Sequence, residues 1–444
     1  MRLLNTTSYE LRSDSLDYFR QHGYAILSHR WVGDEIKLDQ LKDVVAEIRS
    51  GRAPCSTPQI DKIRGACRIA RELRYSWIWI DSCCIDKTNA VELDESINSM
   101  FKWYGGASTC ITYLSDVRLG AGSGVFESTE RDGPSLWFSR GWTLQELLAP
   151  RELRFYDAGW RHLGTKAELV AELASITRID PGYLTHARPF RAACVAAKMS
   201  WMAGRTTTRP EDVAYSMLGI FGVRMNTKYA EGAEAFMRLQ HELLTAPNLP
   251  RDESLFAWRM PGPGAGAAHF GVSQEIPWQP DEWGLLAPSP EWFRDSGEVT
   301  LERAPAIERP LDGFKVAQGS LIAWVPAIGT TKSELAFQAA VTWSFVGWPL
   351  IPVAVKVLPA KRGKKDFEYP LKACVRDMQG NVAPVSIWLR PVSTGFQRIR
   401  CTEFVHGPSQ RVLRRGKVEE RKVFQPILRD EDDVYTPYAH EYMK

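Results

Sequence analysis

The chain of 444 residues carries 56 Lys and Arg against 53 Asp and Glu, a net charge of +3, with 44% apolar and 25% charged residues. That length accommodates two or three domains with cores of their own, and the composition excludes a disordered chain. The even charge balance excludes a molecule drawn as a whole to nucleic acid or to an acidic membrane.

Met1 to Arg20 carries charges throughout, so no leader is expected there. Tyr24 to Ser28 reads as a short strand. Asp34 to Ser50 has helical apolar spacing at Ile36, Leu41, Val44, Val45 and Ile48, closed by Gly51. A second helix is expected over Thr57 to Arg74, with Ile60, Ile63, Cys67, Ala70 and Leu73 on one face. Trp77 to Asp81, apolar on both faces, reads as a central strand. A helix over Asp94 to Tyr104 presents Ile97, Met100 and Tyr104, and Thr109 to Leu114 is the third strand. A polar loop from Ser115 to Ser135, a short helix over Trp142 to Leu148 stopped at Pro150, and a strand at Leu153 to Tyr156 complete the first 160 residues.

Strands alternating with helices imply right-handed crossovers and a parallel α/β sheet over residues 1–160. Ligands of such sheets sit at the carboxyl ends of the strands, here Ser28-His29-Arg30, Asp81-Ser82-Cys83 and Ser115-Asp116. Residues 161–250 read as a helical segment, with Thr208 to Glu211 as a capping box. Residues 251–300, rich in Pro and Gly, read as a connector. Residues 301–444 read as a small, mostly β domain, with runs at Ser320 to Trp324, Val341 to Phe345, Val353 to Leu358 and Ser386 to Leu389. The uncharged run Leu335 to Val355 is long enough for a bilayer, but its Gly347, Pro349 and Pro352 suit two buried strands and a turn, so no membrane span is expected.

Eight cysteines without a CxxC pair suggest reduced thiols in a cytoplasmic protein. No phosphate-binding Gly-x-x-x-x-Gly-Lys-Ser/Thr loop is present. The basic runs Lys361 to Lys365 and Arg411 to Lys422 lack interleaved aromatics and read as solvated loops, not nucleic-acid stripes.

Three long segments carry a resemblance: Tyr24 to Trp31; Trp79 to Lys87 with Glu95 to Met100; and Trp137 to Pro150. In sequence, order and spacing they resemble the fungal heterokaryon-incompatibility (HET) family. That family is similar in turn to Toll/interleukin receptor (TIR) domains, whose opening strand and loop Ile26 to Arg30 resembles and whose tryptophan-bearing helix motif Trp142 to Leu147 resembles. The resemblance implies a flavodoxin-like, TIR-like fold and a role in non-self recognition and regulated cell death. It also implies self-association and a protein signalling partner. In TIR enzymes the corresponding helix supplies the glutamate that cleaves NAD, which places that role on Glu146, with NAD as substrate and no bound cofactor or metal.

The chemistry is coherent. Nicotinamide leaves ribose as a neutral base, and one carboxylate stabilises the cation-like sugar left behind. Arg30 and Arg140 suit a pyrophosphate, Trp31 or Trp142 a flat base, and Ser28, His29 and Asp81 lie at the strand ends. The competing readings are a scaffold without chemistry, with Glu146 an exposed helix residue or a partner of Arg140 or Arg151, and a hydrolase. The hydrolase would use the thiol of Cys83 or Cys84 with His29 as base, or a Mg²⁺ held by Asp81, Asp86 and Glu95.

Overall fold

The computed structural model describes residues 1–50, 57–245 except 121 and 123, 252–269 and 279–301, and the segments 314–317, 320–326, 366–376, 382–392, 395–403, 405–406 and 418–422. The uncharged run, the strands expected at Val341 to Phe345 and Val353 to Leu358, and the basic run Lys361 to Lys365 lie outside them. The chain divides into two compact units.

The first unit comprises Met1–Ala246 with Pro288–Gly297. Its sheet contains β1 (Arg2–Asn5), β2 (Leu11–Ser13), β3 (Ala25–His29), β4 (Trp77–Trp79), β5 (Thr109–Tyr113), β6 (Leu153–Tyr156) and β7 (His162–Thr165), in the order β2-β1-β4-β3-β5-β6-β7. The four central strands, β4-β3-β5-β6, run parallel. Numbered along the chain they stand 2-1-3-4, the doubly wound order that places a crevice at the carboxyl ends where the winding reverses. β1, β2 and β7 extend both flanks antiparallel, so the sheet is mixed at its edges.

Helices cover this sheet: α1 (Leu16–His22), α2 (Leu41–Ser50), α3 (Pro58–Glu72), α4 (Ala90–Gly106) and α5 (Thr143–Leu148). Thr57 caps α3, its hydroxyl accepting from the Ile60 amide at 3.3 Å, with proline in the first turn. Asn89 caps α4, accepting from the amides of Val91 and Glu92, which starts that helix four residues before the expected Asp94. Every residue of β3 is buried, as a central strand requires. The helix expected from Asp34 begins only at Leu41, because Glu35 turns inward to an ion pair.

A helical layer follows: α6 (Val170–Thr177), α7 (Pro181–Leu184), α8 (Val195–Met202), α9 (Asp212–Tyr215), α10 (Leu218–Phe221) and α11 (Glu234–Thr245). Gly219 lets α10 lie directly on α4, since a Cβ there would collide with the Cβ of Phe101. The capping box expected at Thr208–Glu211 does not form. The helix starts at Asp212, the Thr208 hydroxyl accepts from Arg140, and the Glu211 carboxylate accepts from the amides of Ala230 and Gly232.

The second unit holds two antiparallel sheets. One joins β8 (Val299–Thr300), β11 (Phe367–Arg376), β12 (Val382–Val392), β13 (Gly395–Ile399) and β14 (Val405–His406); the other joins β9 (Phe314–Ala317), β10 (Ser320–Pro326) and β15 (Val418–Lys422). The strands expected at Ser320 and Ser386 are present. Segments expected as a connector supply core: Leu255, Phe256, Trp258, Trp283 and Leu285 are fully or almost fully buried. The Arg398 guanidinium stacks 3.4 Å from the Trp258 ring and donates to the carbonyls of Phe256 and Trp258. Among the described residues no helix is long and apolar enough to cross a membrane.

Candidate functional site

The carboxyl ends of β3 and β4 carry two polar clusters. The first is built on Ser28, the fourth residue of β3. Asp116, just past β5, accepts from the hydroxyls of Ser128 and Ser135 and from the Leu136 amide, which fixes the loop into a 3₁₀ turn over Leu136–Ser139. That turn buries the Trp137 indole completely and aims its N–H at the Ser28 hydroxyl, 2.9 Å away. Ser28 in turn donates to Glu146 Oε2 at 2.5 Å. Glu146 also meets the hydroxyl of Tyr104 on α4, which lies 3.0 Å from the Leu27 carbonyl.

Glu146 is therefore not an exposed helix residue: it is 7% exposed. Burial pushes its carboxyl up to about 8, against the lowering effect of the Ser28 and Tyr104 hydrogen bonds and with a further push from Asp81. Trp137 thus donates to Ser28 and Ser28 to Glu146, while the Tyr104 hydroxyl lies between the Glu146 carboxyl and the Leu27 carbonyl, both of which can accept its proton.

Both ends of α5 are held by buried or half-buried cations. Arg205 donates to the Arg140 carbonyl at 2.9 Å and the Thr143 hydroxyl at 3.1 Å. Lys166 donates to the carbonyls of Leu147 and Pro150 beyond Glu146. Burial lowers Lys166 to about 8 and Arg205 to about 10.

The second cluster surrounds His29. Its Nε2 is buried without a hydrogen-bond partner among the described residues, 3.8 Å from Glu35 Oε2 and 3.8 Å from Asp81 Oδ1. Glu35 forms an ion pair with Lys62, both almost wholly buried. Asp81 accepts from the Trp31 indole at 2.9 Å and has the Lys87 ammonium 3.8 Å away, while that ammonium sits 3.6 Å over the Trp31 ring. Burial, reinforced by Lys62, drives His29 down to about 3, so the ring is neutral at physiological pH. Burial would raise Asp81, but Lys87, His29 and the Trp31 hydrogen bond outweigh it and hold the carboxyl low.

Of the residues singled out by sequence, Ser28 and Glu146 thus meet directly, and His29, Trp31 and Asp81 form one neighbouring group. Arg30 instead pairs with Glu130 at 2.9 Å. Arg140 donates to Thr208 at 3.3 Å, and Trp142 donates to Asp212. Trp137, Tyr104, Glu35, Lys62 and Arg205 were missed. The signal for the first two is that a buried indole N–H or phenol hydroxyl must find a partner.

The thiol reading finds no geometry. Cys83 is fully buried, and its neighbour Cys84 together with burial pushes its thiol far up. Cys84 accepts from the Ile80 amide. For Mg²⁺, Asp86 turns to the Thr88 hydroxyl at 2.6 Å. Among the described residues no group of three or more His, Cys, Asp or Glu is placed to hold a metal ion.

Residues 24–135 match the family described as Heterokaryon incompatibility protein (HET). This chain carries a heterokaryon-incompatibility domain. Over 230 residues, 50% of its length, it is 38% identical to the vegetative incompatibility protein HET-E-1 of Podospora anserina, of which the match spans 16%. No solved structure matches. The HET match includes Ser28 and the His29 cluster, while Arg140, Trp142 and Glu146 follow just past its end.

Proposed function

We propose that this protein is an effector of vegetative incompatibility in which the sheet and α5 form a TIR-like site that cleaves NAD. One observation carries the enzymatic part. Glu146 is a buried carboxyl with a strongly raised pKa, hydrogen-bonded to a strand-end serine where α/β sheets bind ligands. In the reaction the bond between C1′ of ribose and the pyridinium nitrogen breaks, and its electron pair leaves with nicotinamide. Water adds to the cation-like sugar and releases a proton, giving ADP-ribose. Ionised Glu146 stabilises that cation, and the incoming pyridinium favours the ionised form by its own charge. Trp31 offers a ring for a flat base. The domain acts in a self-associated state that brings cell death by depleting NAD.

A second reading rests on the closed Trp137–Ser28–Glu146–Tyr104 chain, which is satisfied without any ligand: the domain is a scaffold, and Glu146 fixes α5 against β3. Incubation of concentrated protein with NAD, with nicotinamide followed by chromatography, separates the two. Release by the wild type and not by Glu146→Gln, with kcat/KM rising with pH toward about 8, supports cleavage. No release from protein shown by sedimentation to be self-associated supports the scaffold.

A further inference from the structure

A cavity of about 200 Å³ opens between the 3₁₀ turn Leu136–Ser139 and the carboxyl-terminal ends of α6 and α8. Arg131, Arg178, Arg205 and Arg294 line it, and no carboxylate does among the described residues. Glu291 engages Arg294 from outside the lining. Arg131 donates one bond, to the Pro134 carbonyl at 3.2 Å. Arg205 spends Nε on the Trp201 carbonyl and Nη1 on Arg140 and Thr143, which leaves Nη2 without an acceptor among the described residues.

Arg178 makes no side-chain hydrogen bond or ion pair among the described residues. It also ends α6 at φ 59°, a left-handed position where glycine is the ordinary choice. A cation at a helix end complements the dipole. That explains one arginine at the end of α6; it does not explain four converging on a single cavity with one carboxylate nearby.

We infer that this cavity binds a phosphate group, either free or as the end of a small phosphomonoester. The volume holds a phosphate with a short substituent and is below the range of drug-sized ligand sites. Guanidinium groups are the side chains suited to a tetrahedral oxyanion. Half-buried in one wall, the Arg205 fork would present its open Nη2, with the exposed Arg131 and Arg178 closing from the rim. The inference stands independently of what Glu146 does.

The test is calorimetric titration of the full chain in chloride buffer with inorganic phosphate and, separately, glycerol 3-phosphate. One site is expected, weakened about tenfold by Arg131→Gln and by Arg178→Gln, as for loss of one charge-assisted contact. Tighter binding of the monoester assigns the site to a phosphorylated small molecule, and equal binding assigns it to free phosphate. Arg178→Gly guards against a folding artefact: it relaxes the left-handed residue, so its Tm without phosphate is expected to rise while the increase in Tm at a fixed phosphate concentration shrinks, as a tenfold weaker site requires. No binding of either probe by the wild type, or binding unchanged in both glutamine variants, overturns the inference.

Discussion

Replacing Glu146 by glutamine should make the first unit more stable, and increasingly so as pH rises. The carboxyl titrates at about 8 in the fold against a reference of 4.5. Because the folded value is raised, the unfolded chain gives up its proton first. The folded state then loses ground steadily from pH 4.5 up to about 8, above which the penalty is constant. At about 1.4 kcal/mol per unit, the penalty is below about 1 kcal/mol at pH 5, about 3 at pH 7 and about 4 at pH 8. Glutamine keeps an oxygen to accept from Ser28 and nearly the same shape, so it removes the ionisation with little change in packing. Urea unfolding followed by tryptophan fluorescence at pH 5, 7 and 8, in wild type and variant, measures the difference. Any constant offset reflects the changed hydrogen bonds, and the change with pH is the test. A wild-type-to-variant difference that stays flat across this range would refute the assignment of a raised carboxyl to Glu146.

The remaining predictions concern the neighbouring cluster and the helical layer. Lys62→Met should destabilise by about 3–5 kcal/mol, because it strands the buried Glu35 carboxylate. The double variant with Glu35→Gln should recover most of that loss in the same urea assay, and equal stability of single and double variants would refute the pairing. The His29 ring, faced by Glu35, Asp81, Lys62 and Lys87, should stay neutral in imidazole NMR down to about pH 4. Its folded pKa lies below the unfolded 6.5, so it costs stability as pH falls through 6.5 toward 3; a midpoint near 6.5 would refute the burial argument. Gly219→Ala should lower stability by about 1–3 kcal/mol by forcing α10 off Phe101, and an unchanged Tm would show that the two helices yield freely.

How much of this was legible in the sequence depends on the range of the interaction. The parallel core was legible because short strands alternate with helices and β4 is apolar on both faces, as a buried central strand is. The flanking strands were not. β1 is four residues, and β7 holds Gly164 at φ 147°, so neither builds a periodic signal. His29 and Asp81 could be grouped in advance, because they end adjacent parallel strands. Glu35 could not, since Asp34 to Ser50 satisfies a helical period whether or not its first turn forms.

Ser28 and Glu146 mark the limit most clearly. Ser28 was placed at a strand end by its own element and Glu146 was singled out by resemblance, yet 118 positions separate them, and no spacing rule says that one hydroxyl faces one carboxyl. What brings them together is Asp116, which folds a polar loop into the turn that buries Trp137 above Ser28. The same loss of local meaning occurs at Thr208–Glu211, where a strong capping signature is dismantled because Arg140 takes the hydroxyl and two backbone amides take the carboxylate. A side chain satisfied locally in the sequence pattern is satisfied at long range in the fold. The helix it would have capped is four residues long, and one cap on so short a helix is worth about 1 kcal/mol, comparable to what either tertiary partner offers. With local and distant partners so nearly matched, packing of the α9–α11 layer decides the outcome, and sequence periodicity is silent on it.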